Sequence, residues 1–465
     1  MDRLNIILVL ACILTTNVFA DSKDYYFQKS LQTKQDLKQK LPELKAINFK
    51  QLIDHSNPNL GTFTQRYYVD ETYGSEWNSP TFLYICGEAT CSASSIQRGA
   101  IREYAKKFKA RLIAIEHRYY GHSQPFNLLT TENLKYLSTD QALQDLAYIQ
   151  TDLTSRKSWQ ARWVVFGGSY AGSLAAYYRQ KYPNLVVGAL ASSGPVMADD
   201  NFDEYDAHMA RVAGEQCRDN MRLVVDEIEG ALESPALLNS IKSKFQATTI
   251  KDNVDFLYLV ADIGAIAIQY GMKEHFCGLL ANETTPLKGY VKFAKEIYRD
   301  WQLDPVSITA QGAEDKDPDA YLGNFGMRQW LYQSCTEYGY WQNAHPDQEK
   351  STRSSLIDAA YHQGICTRLF GIETPVDTNH INNNFYKPLL NARTTKIFFT
   401  NGSTDPWINL SIADYNDNTT NRNLDYVTIK GAAHCDDLRS SSMTDSASLR
   451  QARAKTSDLI QEWLN

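Results

Sequence analysis

Short runs of apolar residues alternate along the first part of the chain with stretches in which apolar residues recur at helical spacing. The apolar runs occupy 82–86, 111–116, 163–166 and 187–191. The stretch 139–153 carries Leu143, Leu146, Ile149 and Leu153 on one helical face. Strands that are apolar throughout are typical of a parallel sheet covered by helices on both sides. The pattern therefore predicts an α/β fold, preceded by a β-hairpin or meander over 48–55 and 64–69.

This alternation stops near Asp199 and returns close to the C-terminus. Between 202 and 370 the pattern indicates helices with few strand-like runs. Strands are predicted again at 396–400 and 426–429, followed by a helix over 447–463. We therefore predict one α/β domain interrupted by a mostly helical insert. The predicted parts are a signal peptide at 1–20, the α/β domain at 21–200 and 376–465, and the insert at 201–375.

The N-terminus has the pattern of a secretory signal peptide. Arg3 precedes an apolar run over 6–14, and Val18 and Ala20 are the small residues that precede a cleavage site after Ala20. The run is shorter than the ~20 apolar residues that a membrane-spanning helix needs, so no membrane anchor is predicted. Another apolar stretch, 257–268, is interrupted by Asp262 and predicts a buried helix. The net charge of −7 and the lack of a basic run argue against a nucleic-acid partner.

The cysteine and sequon content fits an oxidising compartment. Of eight cysteines, Cys12 leaves with the signal peptide and seven remain, so at least one stays unpaired. The remaining cysteines are Cys86, Cys91, Cys217, Cys277, Cys335, Cys366 and Cys435. No C-x-x-C pair is present, and no metal site is predicted. Asn-x-Ser/Thr sequons at Asn282, Asn401, Asn409 and Asn418 predict glycosylation at some of these positions.

The sharpest chemical signal is the segment Gly-Gly-Ser-Tyr-Ala-Gly at 167–172, which joins a predicted strand to a predicted helix. A nucleophile elbow needs this context, because its turn is so tight that only small residues fit beside the serine. Ala171 stands at the fifth position of the usual G-x-S-x-G pattern and is small enough to serve. We interpret Ser169 as a nucleophile; the alternative is an ordinary turn with a serine at the helix cap.

A serine nucleophile needs a base, and the base needs an orienting acid. In this type of fold the acid and then the histidine follow the serine along the chain. Asp405 lies after the predicted strand 396–400, and His434 lies after the strand 426–429. The alternatives are a turn-forming aspartate and a loop histidine. The other histidines precede Ser169 or lie in or near the insert. Two of those that precede it, His117 and His122, are interpreted as structural or pocket-lining residues.

Two backbone groups are predicted to stabilise the oxyanion that forms during acyl transfer. One is the N–H of Tyr170 at the start of the helix, and the other lies near Gly87 or Glu88 after an earlier strand. Cys86 and Cys91 bracket that loop and could form a small disulfide; the alternative is a pair of buried thiols. This chemistry needs no cofactor.

Several motifs along the chain resemble the prolyl carboxypeptidase and dipeptidyl-peptidase family of serine exopeptidases. They are the elbow at 167–172, His-Arg-Tyr-Tyr-Gly at 117–121, Tyr-Gln-Ser-Cys-Thr-Glu at 332–337, Asn-Gly-Ser-Thr-Asp-Pro-Trp at 401–407 and His434-Cys435. The resemblance implies an α/β-hydrolase fold with a helical cap domain inserted, and Ser169, Asp405 and His434 as the catalytic triad. It also implies small peptide substrates, often cut beside proline, in lysosomes or after secretion, and leaves a homodimer open.

One difference from the family pattern indicates which branch of the family the chain resembles most. The proline-specific members carry two adjacent histidines at the base, whereas Ala433 precedes His434 here, as in the thymus-specific serine protease branch. By the same resemblance, Cys217 pairs with Cys366 and Cys277 with Cys335, leaving Cys435 free. Two other functions remain open from the sequence: a secreted esterase or lipase on the same fold, and a non-catalytic hydrolase-like binding protein. The second would predict loss of a triad residue.

Overall fold

The structure is a computed structural model that describes residues 41, 43–159, 162–414, 416 and 418–465. The predicted signal peptide and most of the segment that follows it lie outside these residues. Within these described residues, eight strands form a single sheet. They are β1 (Ile47–Leu52), β2 (Thr62–Asp70), β3 (Thr81–Ile85), β4 (Arg111–Ile115), β5 (Trp163–Gly168), β6 (Gly188–Ser192), β7 (Ile397–Gly402) and β8 (Asp425–Ile429).

The sheet is mostly parallel, as the apolar runs predict. The strand order is β1-β2-β4-β3-β5-β6-β7-β8. β2 pairs antiparallel with both β1 and β4, so the predicted hairpin forms the antiparallel edge, and all other neighbours run parallel. Every residue of β3, β4, β5, β6 and β7 is buried. The carboxyl ends of β5, β6 and β7 therefore lie side by side, where this fold places its chemistry.

Helices cover both faces of the sheet because successive strand residues point to opposite sides. Val165 of β5 packs with the helices that follow β4 and β5, whereas Val164 and Phe166 pack with the helix before β4 and the C-terminal helix. The helices of at least seven residues are α1 (Gly99–Phe108), α2 (Thr139–Arg156), α3 (Tyr170–Lys181), α4 (Glu204–Ala213), α5 (Glu215–Gly230), α6 (Pro235–Lys244), α7 (Asn253–Gln269), α8 (Lys273–Asn282), α9 (Pro286–Asp300), α10 (Met327–Gln333), α11 (Ala359–Phe370) and α12 (Ala447–Leu464). Single helical turns lie at Ser94–Gln97, Thr131–Leu134, Asn379–Ile381 and Lys387–Leu389.

The segment between β6 and β7 contains α4 to α11 and, among its described residues, no strand of the sheet. The protein therefore has the α/β-hydrolase fold with a mostly helical insertion. The apolar stretch that Asp262 interrupts lies in α7, most of whose residues are buried. Among the described residues, no helix combines the length and the apolar character that crossing a bilayer requires. The exact limits of the insert, 201–375, stay a prediction.

The disulfide pairing differs from the one that the family resemblance implied. Cys86 pairs with Cys91, as expected from their positions around one loop. The expected pairs Cys217–Cys366 and Cys277–Cys335 are wrong: Cys217 bonds Cys277, and Cys335 bonds Cys366. The physical reason is proximity, because Cys217 on α5 and Cys277 on α8 belong to helices that pack against each other, as do α10 and α11 beside the second pair. Cys435 is a buried thiol outside these bonds.

Two of the four sequon asparagines, Asn401 and Asn418, are buried, and glycosylation at all four positions stays a prediction. Asn401 is fully buried at the end of β7, where its Nδ2 donates to the carbonyl of Ile412 at 2.9 Å. Asn418 is 7% exposed and donates to the carbonyl of Ser411. A glycan on either nitrogen would displace the hydrogen bond that this nitrogen donates. Asn409 is half-buried and Asn282 is exposed.

Candidate active site

Ser169 occupies a sharp turn between β5 and α3. Its backbone has φ 58° and ψ −133°, a conformation that non-glycine residues rarely adopt. Its N–H donates to the carbonyl of Ser192 at the end of β6 at 2.9 Å. Such conformations cost about 1–3 kcal/mol and persist where the surrounding structure holds them, often at functional sites. The turn thus has the geometry predicted for a nucleophile elbow.

Two glycines allow this turn to lie against its neighbours. A Cβ atom on Gly167 would lie 1.9 Å from the carbonyl oxygen of Ala171. A Cβ atom on Gly172 would lie 2.7 Å from the carbonyl oxygen of Ser192. Both contacts are with backbone atoms, which cannot rotate away as a side chain can. The elbow therefore requires glycine at these positions because of close approach.

His434 and Asp405 form a fully buried pair. His434 Nδ1 lies 2.7 Å from Asp405 Oδ2, and neither side chain is exposed to solvent. The other carboxylate oxygen of Asp405 accepts the backbone N–H of Trp407 at 3.1 Å. Burial by itself lowers the pKa of His434, but Asp405 and Cys435 raise it, and the net result is a pKa well above the ordinary value. The arrangement stabilises a proton on the imidazole.

Hydrogen bonds join the loop that carries His434 to the ends of β6 and β7. Asp437 accepts hydrogen bonds from Ser192 Oγ at 2.5 Å and from Thr400 Oγ1 at 2.8 Å. The N–H of Cys435 donates to Ser193 Oγ at 2.9 Å. The carbonyl of Ser192, which accepts the N–H of Ser169, also lies 3.6 Å from the sulfur of Cys435. The turn that carries Ser169 and the loop that carries His434 thus meet at the end of β6.

Residues of the insert also contact His434. The N–H of His434 donates to the carbonyl of Gln269, the last residue of α7, at 2.9 Å. The side-chain oxygen of Gln269 accepts from Trp407 Nε1 at 3.0 Å and from the Tyr205 hydroxyl at 2.7 Å. The ring of Tyr270 packs edge-on against His434 with centroids 5.9 Å apart. No motif in the sequence indicates these contacts, because they join residues far apart along the chain.

The predicted oxyanion donors lie next to Ser169. Tyr170 is the first residue of α3, so its N–H has no carbonyl one turn earlier in the helix to bond. Gly87 is close to the elbow, since a Cβ atom there would lie 3.6 Å from Ala171 Cβ. Glu88, Gly87 and Ser169 line one small pocket. The N–H of Glu88 hydrogen-bonds its own carboxylate. The roles of these amides stay predictions.

His117 has the structural role expected of it. Its ring is buried, with one nitrogen 2.7 Å from the carbonyl of Arg118 and the other 3.1 Å from the Tyr170 hydroxyl. Burial lowers the pKa of His117 to about 4. The ring is therefore neutral at physiological pH and braces the first turn of α3.

Ser169 opens onto a pocket of about 140 Å³ between the sheet and the insert. Aromatic rings form much of its wall, namely Tyr170, Tyr205, Tyr258, Tyr270, Phe325, Trp330, Tyr340, Trp341, Tyr361 and Trp407. Two carboxylates, Glu88 and Asp262, also line it. Burial raises the pKa of Glu88 to about 7 and that of Asp262 to about 6. Among the described residues, no group of three or more His, Cys, Asp or Glu side chains could hold a metal ion.

The chain is similar to known proteins over a range that includes Ser169, Asp405 and His434. The chain matches the serine carboxypeptidase S28 family over residues 51–456. It is 36% identical over 411 residues to a probable serine protease of Arabidopsis thaliana, across 84% of this chain and 80% of the plant protein. It is 30% identical to the thymus-specific serine protease of Mus musculus, across 87% of this chain and 84% of that protein. It is 26% identical to the lysosomal Pro-X carboxypeptidase of Bos taurus, across 90% of this chain and 87% of that protein.

Proposed function

Because the chain belongs to the serine carboxypeptidase S28 family, a family of serine peptidases, we propose that Ser169, His434 and Asp405 are its catalytic triad. The proposed reaction is hydrolysis of small peptides near one end. The observation that carries this proposal is the buried 2.7 Å contact between His434 and Asp405, on a loop that meets the elbow of Ser169 at the end of β6.

Acyl transfer accounts for each of these groups. His434 accepts the proton of the Ser169 hydroxyl as its oxygen attacks the peptide carbonyl, and the resulting imidazolium is stabilised by the Asp405 carboxylate. The oxyanion of the tetrahedral intermediate accepts hydrogen bonds from the N–H of Tyr170 and from an amide of the Gly87–Glu88 loop. The C–N bond then breaks as His434 donates its proton to the leaving amine. Water attacks the acyl-enzyme by the same route and regenerates Ser169.

The position of the insert supports small peptides as substrates. Residues of α7, α10 and α11 line the pocket that contains Ser169, so the nucleophile lies beneath the insert rather than on an open surface. A folded protein presents few chain ends that can enter such a pocket. We therefore propose exopeptidase activity, with cleavage beside proline as one open preference.

The three disulfides among the described residues favour an oxidising compartment. We place the protein in the secretory pathway, with a lysosome or the extracellular space as its destination. Removal of residues 1–20 from the mature protein would support this assignment and can be read from its N-terminal sequence.

An active-site probe tests the proposed nucleophile. We expect a fluorophosphonate probe to label the mature protein and the Ser169→Ala variant to remain unlabelled. Ser240→Ala, which changes an exposed serine on α6, is the matched control and should label like the wild type. Absence of labelling in a folded wild-type protein would overturn the assignment of Ser169.

A peptide mixture tests the mode of cleavage. We expect mass spectrometry to find products shortened by one to a few residues from one end, as a pocket that closes around a chain end requires. Products that arise mostly from internal cleavage would contradict exopeptidase activity and leave the triad assignment intact.

A further inference from the structure

The motifs at 117–121 and 332–337 have no step in the proposed mechanism, yet side chains from both contact Tyr170. His117 belongs to the first motif and Gln333 to the second, and both side chains are buried. Among the described residues, the wall of the active-site pocket includes neither of them. Tyr170 directly follows the proposed nucleophile, and its N–H is a proposed oxyanion donor. The two motifs therefore meet behind the reacting centre rather than on its substrate side.

The hydrogen bonds around Tyr170 have a defined direction. His117 Nδ1 lies 2.7 Å from the carbonyl of Arg118, which can only accept, so this nitrogen carries the proton. Burial lowers the pKa of His117 to about 4, so the ring is neutral and its Nε2 accepts the Tyr170 hydroxyl at 3.1 Å. The Tyr170 oxygen in turn accepts Gln333 Nε2 at 2.8 Å, and Gln333 Oε1 accepts the Tyr120 hydroxyl at 2.5 Å. We name these four side chains the Tyr170 network.

Gln333 has a fixed position in the insert. It is the last residue of α10 and is fully buried. Two residues later, Cys335 forms a disulfide with Cys366 of α11. Two residues farther, the carboxylate of Glu337 accepts the N–H of Thr139 at the start of α2, at 3.0–3.1 Å. The segment that carries Gln333 is thus joined both to the insert and to the α/β domain.

The Tyr170 network holds the first turn of α3 from the insert side. The rings of Trp330 and Tyr338 also pack edge-on against Tyr170, with centroids 5.5 and 5.7 Å apart. Ring contacts of this kind tolerate sliding, whereas the two hydrogen bonds of the hydroxyl fix its position. A displacement of about 1 Å in a catalytic group can lower a rate by about 100-fold. The orientation of the Tyr170 peptide therefore depends on where its side chain is held.

We propose that Gln333 is a positioning residue, which acts through the Tyr170 hydroxyl to hold the oxyanion N–H in its productive place. The proposal rests on the proposed function, because it assumes that Ser169 is the nucleophile and that the Tyr170 N–H binds the oxyanion. Neither Gln333 nor the hydroxyl touches the reacting atoms. Their effect belongs to the transition state and should change kcat rather than KM. The insert then completes the oxyanion site in addition to covering the pocket.

The first test removes the Tyr170 hydroxyl. Tyr170→Phe keeps the ring in the pocket wall, and we expect kcat to fall by about 10- to 100-fold while KM stays within about twofold. This loss is smaller than the 10²–10³-fold typical of a deleted oxyanion donor, because the N–H is displaced rather than removed. Tyr177→Phe is the matched control, since it removes a buried hydroxyl of the same helix that donates to the carbonyl of Val196 at 2.7 Å. Both variants should melt at similarly lowered temperatures, and Tyr177→Phe should keep the wild-type kcat.

A peptide aldehyde tests whether the loss concerns the oxyanion. The aldehyde is made from the acyl part of the best-cleaved peptide. The Ser169 oxygen bonds its carbonyl carbon, the C=O double bond opens to an oxyanion, and the hydroxyl proton passes to His434. We expect the Ki of this aldehyde to rise in Tyr170→Phe by the factor by which kcat falls, while the Ki of the corresponding acid changes less than about twofold. A lowered kcat with an unchanged aldehyde Ki would overturn the proposal.

Gln333→Met tests the same network from the insert. Methionine has a similar size and lacks the amide, so the Tyr170 hydroxyl loses its donor and keeps His117. We expect kcat to fall by about tenfold. The double variant Tyr170→Phe/Gln333→Met should lose no more than about threefold beyond Tyr170→Phe, because both changes break one path. Losses that multiply would overturn the proposal. If one single variant does not fold, the kcat and KM of the other decide.

The outcomes separate this proposal from the proposed function. A folded wild type that the fluorophosphonate probe does not label would overturn both. Labelling that depends on Ser169, together with a kcat of Tyr170→Phe within about twofold of the wild type, would overturn only the role of Gln333. An equal loss of kcat in Tyr170→Phe and Tyr177→Phe would assign the effect to the packing of α3 and would likewise contradict positioning through the hydroxyl.

Discussion

The raised pKa of His434 depends chiefly on the Asp405 carboxylate, and Cys435 acts in the same direction. Asp405 is buried with the imidazole at 2.7 Å, and it raises the pKa of His434 against the effect of burial. A general base must be neutral to accept a proton, so activity should fall as the pH drops through this pKa. The acid limb of the wild-type profile is therefore expected above pH 6.5, the ordinary value for histidine.

Asp405→Asn tests this coupling. We expect kcat to fall by about 10⁴-fold, because asparagine neither fixes the productive tautomer nor stabilises the imidazolium. The pKa of His434 should fall with the charge, so the acid limb of kcat/KM should move to lower pH. A pH–rate profile on a peptide substrate measures both effects. A large loss of activity with an unmoved acid limb would mean that Asp405 does not set the protonation of His434.

At the scale of residues, the sequence indicated the proposed triad and gave no indication of which side chains line the pocket. Ser169, Asp405 and His434 stand after recognisable strands and in the chain order of the fold, so local pattern was enough to select them. Asp262 was visible only as an acid that interrupts an apolar run. Its place in the pocket depends on how α7 packs over the sheet, which no local pattern encodes. The disulfide pairing failed similarly, since four cysteines allow three connectivities and only packing chooses among them.

At the scale of elements, the junction of β5 and α3 sets the position of Ser169, the proposed nucleophile. The carbonyl of Ala171 lies so close to Gly167 that any side chain there would overlap backbone. The helix α3 has little room to move away from Gly167, because Gly172 lies close to the carbonyl of Ser192 on β6. The elbow is therefore confined by contacts on both sides.

Gly167→Ala should disturb both stability and catalysis. The added Cβ atom would lie 1.9 Å from the Ala171 oxygen, so the turn must shift. We expect a loss of about 1–3 kcal/mol in stability, as for overpacked cores, together with loss of fluorophosphonate labelling. Gly364→Ala is the control, because Gly364 is exposed within α11 and nothing lies within 4 Å of an added Cβ atom. That variant should gain about 0.5–1 kcal/mol. Normal labelling of Gly167→Ala would contradict the confinement of the elbow.

The elements themselves were largely predictable, and their arrangement was not. Continuous apolar runs indicated β3 to β7 because such strands are buried on both faces, and the hairpin of β1 and β2 followed from its turn residues. The sheet order, in which β3 lies between β4 and β5, depends on crossovers that leave no trace in one strand's sequence. The contact of Gln269 with His434 depends on the same long-range packing.

At the scale of the whole molecule, buried titratable groups should make stability depend on pH. Burial raises the pKa of Glu337 to about 8, although Thr139 donates hydrogen bonds to its carboxylate. An unfolded glutamate has a pKa of about 4.3. Between these values the native state holds a proton that the unfolded chain has released, so the free energy of unfolding falls as the pH rises. Glu116, whose pKa burial raises to about 7, acts in the same direction.

Buried histidines oppose this trend only at lower pH. Burial lowers the pKa of His117 and of His208 to about 4, so below about pH 6.5 the unfolded chain binds protons that these native rings do not. Their effect raises stability as the pH rises to about 6.5 and then ends. His434, whose native pKa is raised, contributes stability that is fully present below about 6.5 and is lost as the pH rises through its native pKa. Above pH 6.5 the acids and His434 therefore act together.

We expect the melting temperature to be lower at pH 8 than at pH 6.5 by about 1–3 °C, and Glu337→Gln to reduce this difference. Glutamine keeps a carbonyl oxygen for the Thr139 N–H and cannot ionise. It therefore removes the contribution of Glu337 to the pH dependence, which is about 1–2 kcal/mol in the free energy of unfolding between pH 6.5 and pH 8. Scanning calorimetry at the two pH values measures the difference, and exposed Glu233→Gln serves as the matched control. Two results would contradict this prediction: a wild type that melts at a higher temperature at pH 8, or a Glu337→Gln variant that keeps the full wild-type difference in melting temperature. Either result would show that Glu337 is ionised in the native protein near neutral pH. Because the proposed mechanism needs a neutral His434, we expect the pH range that favours turnover to lie above the range that favours the folded state.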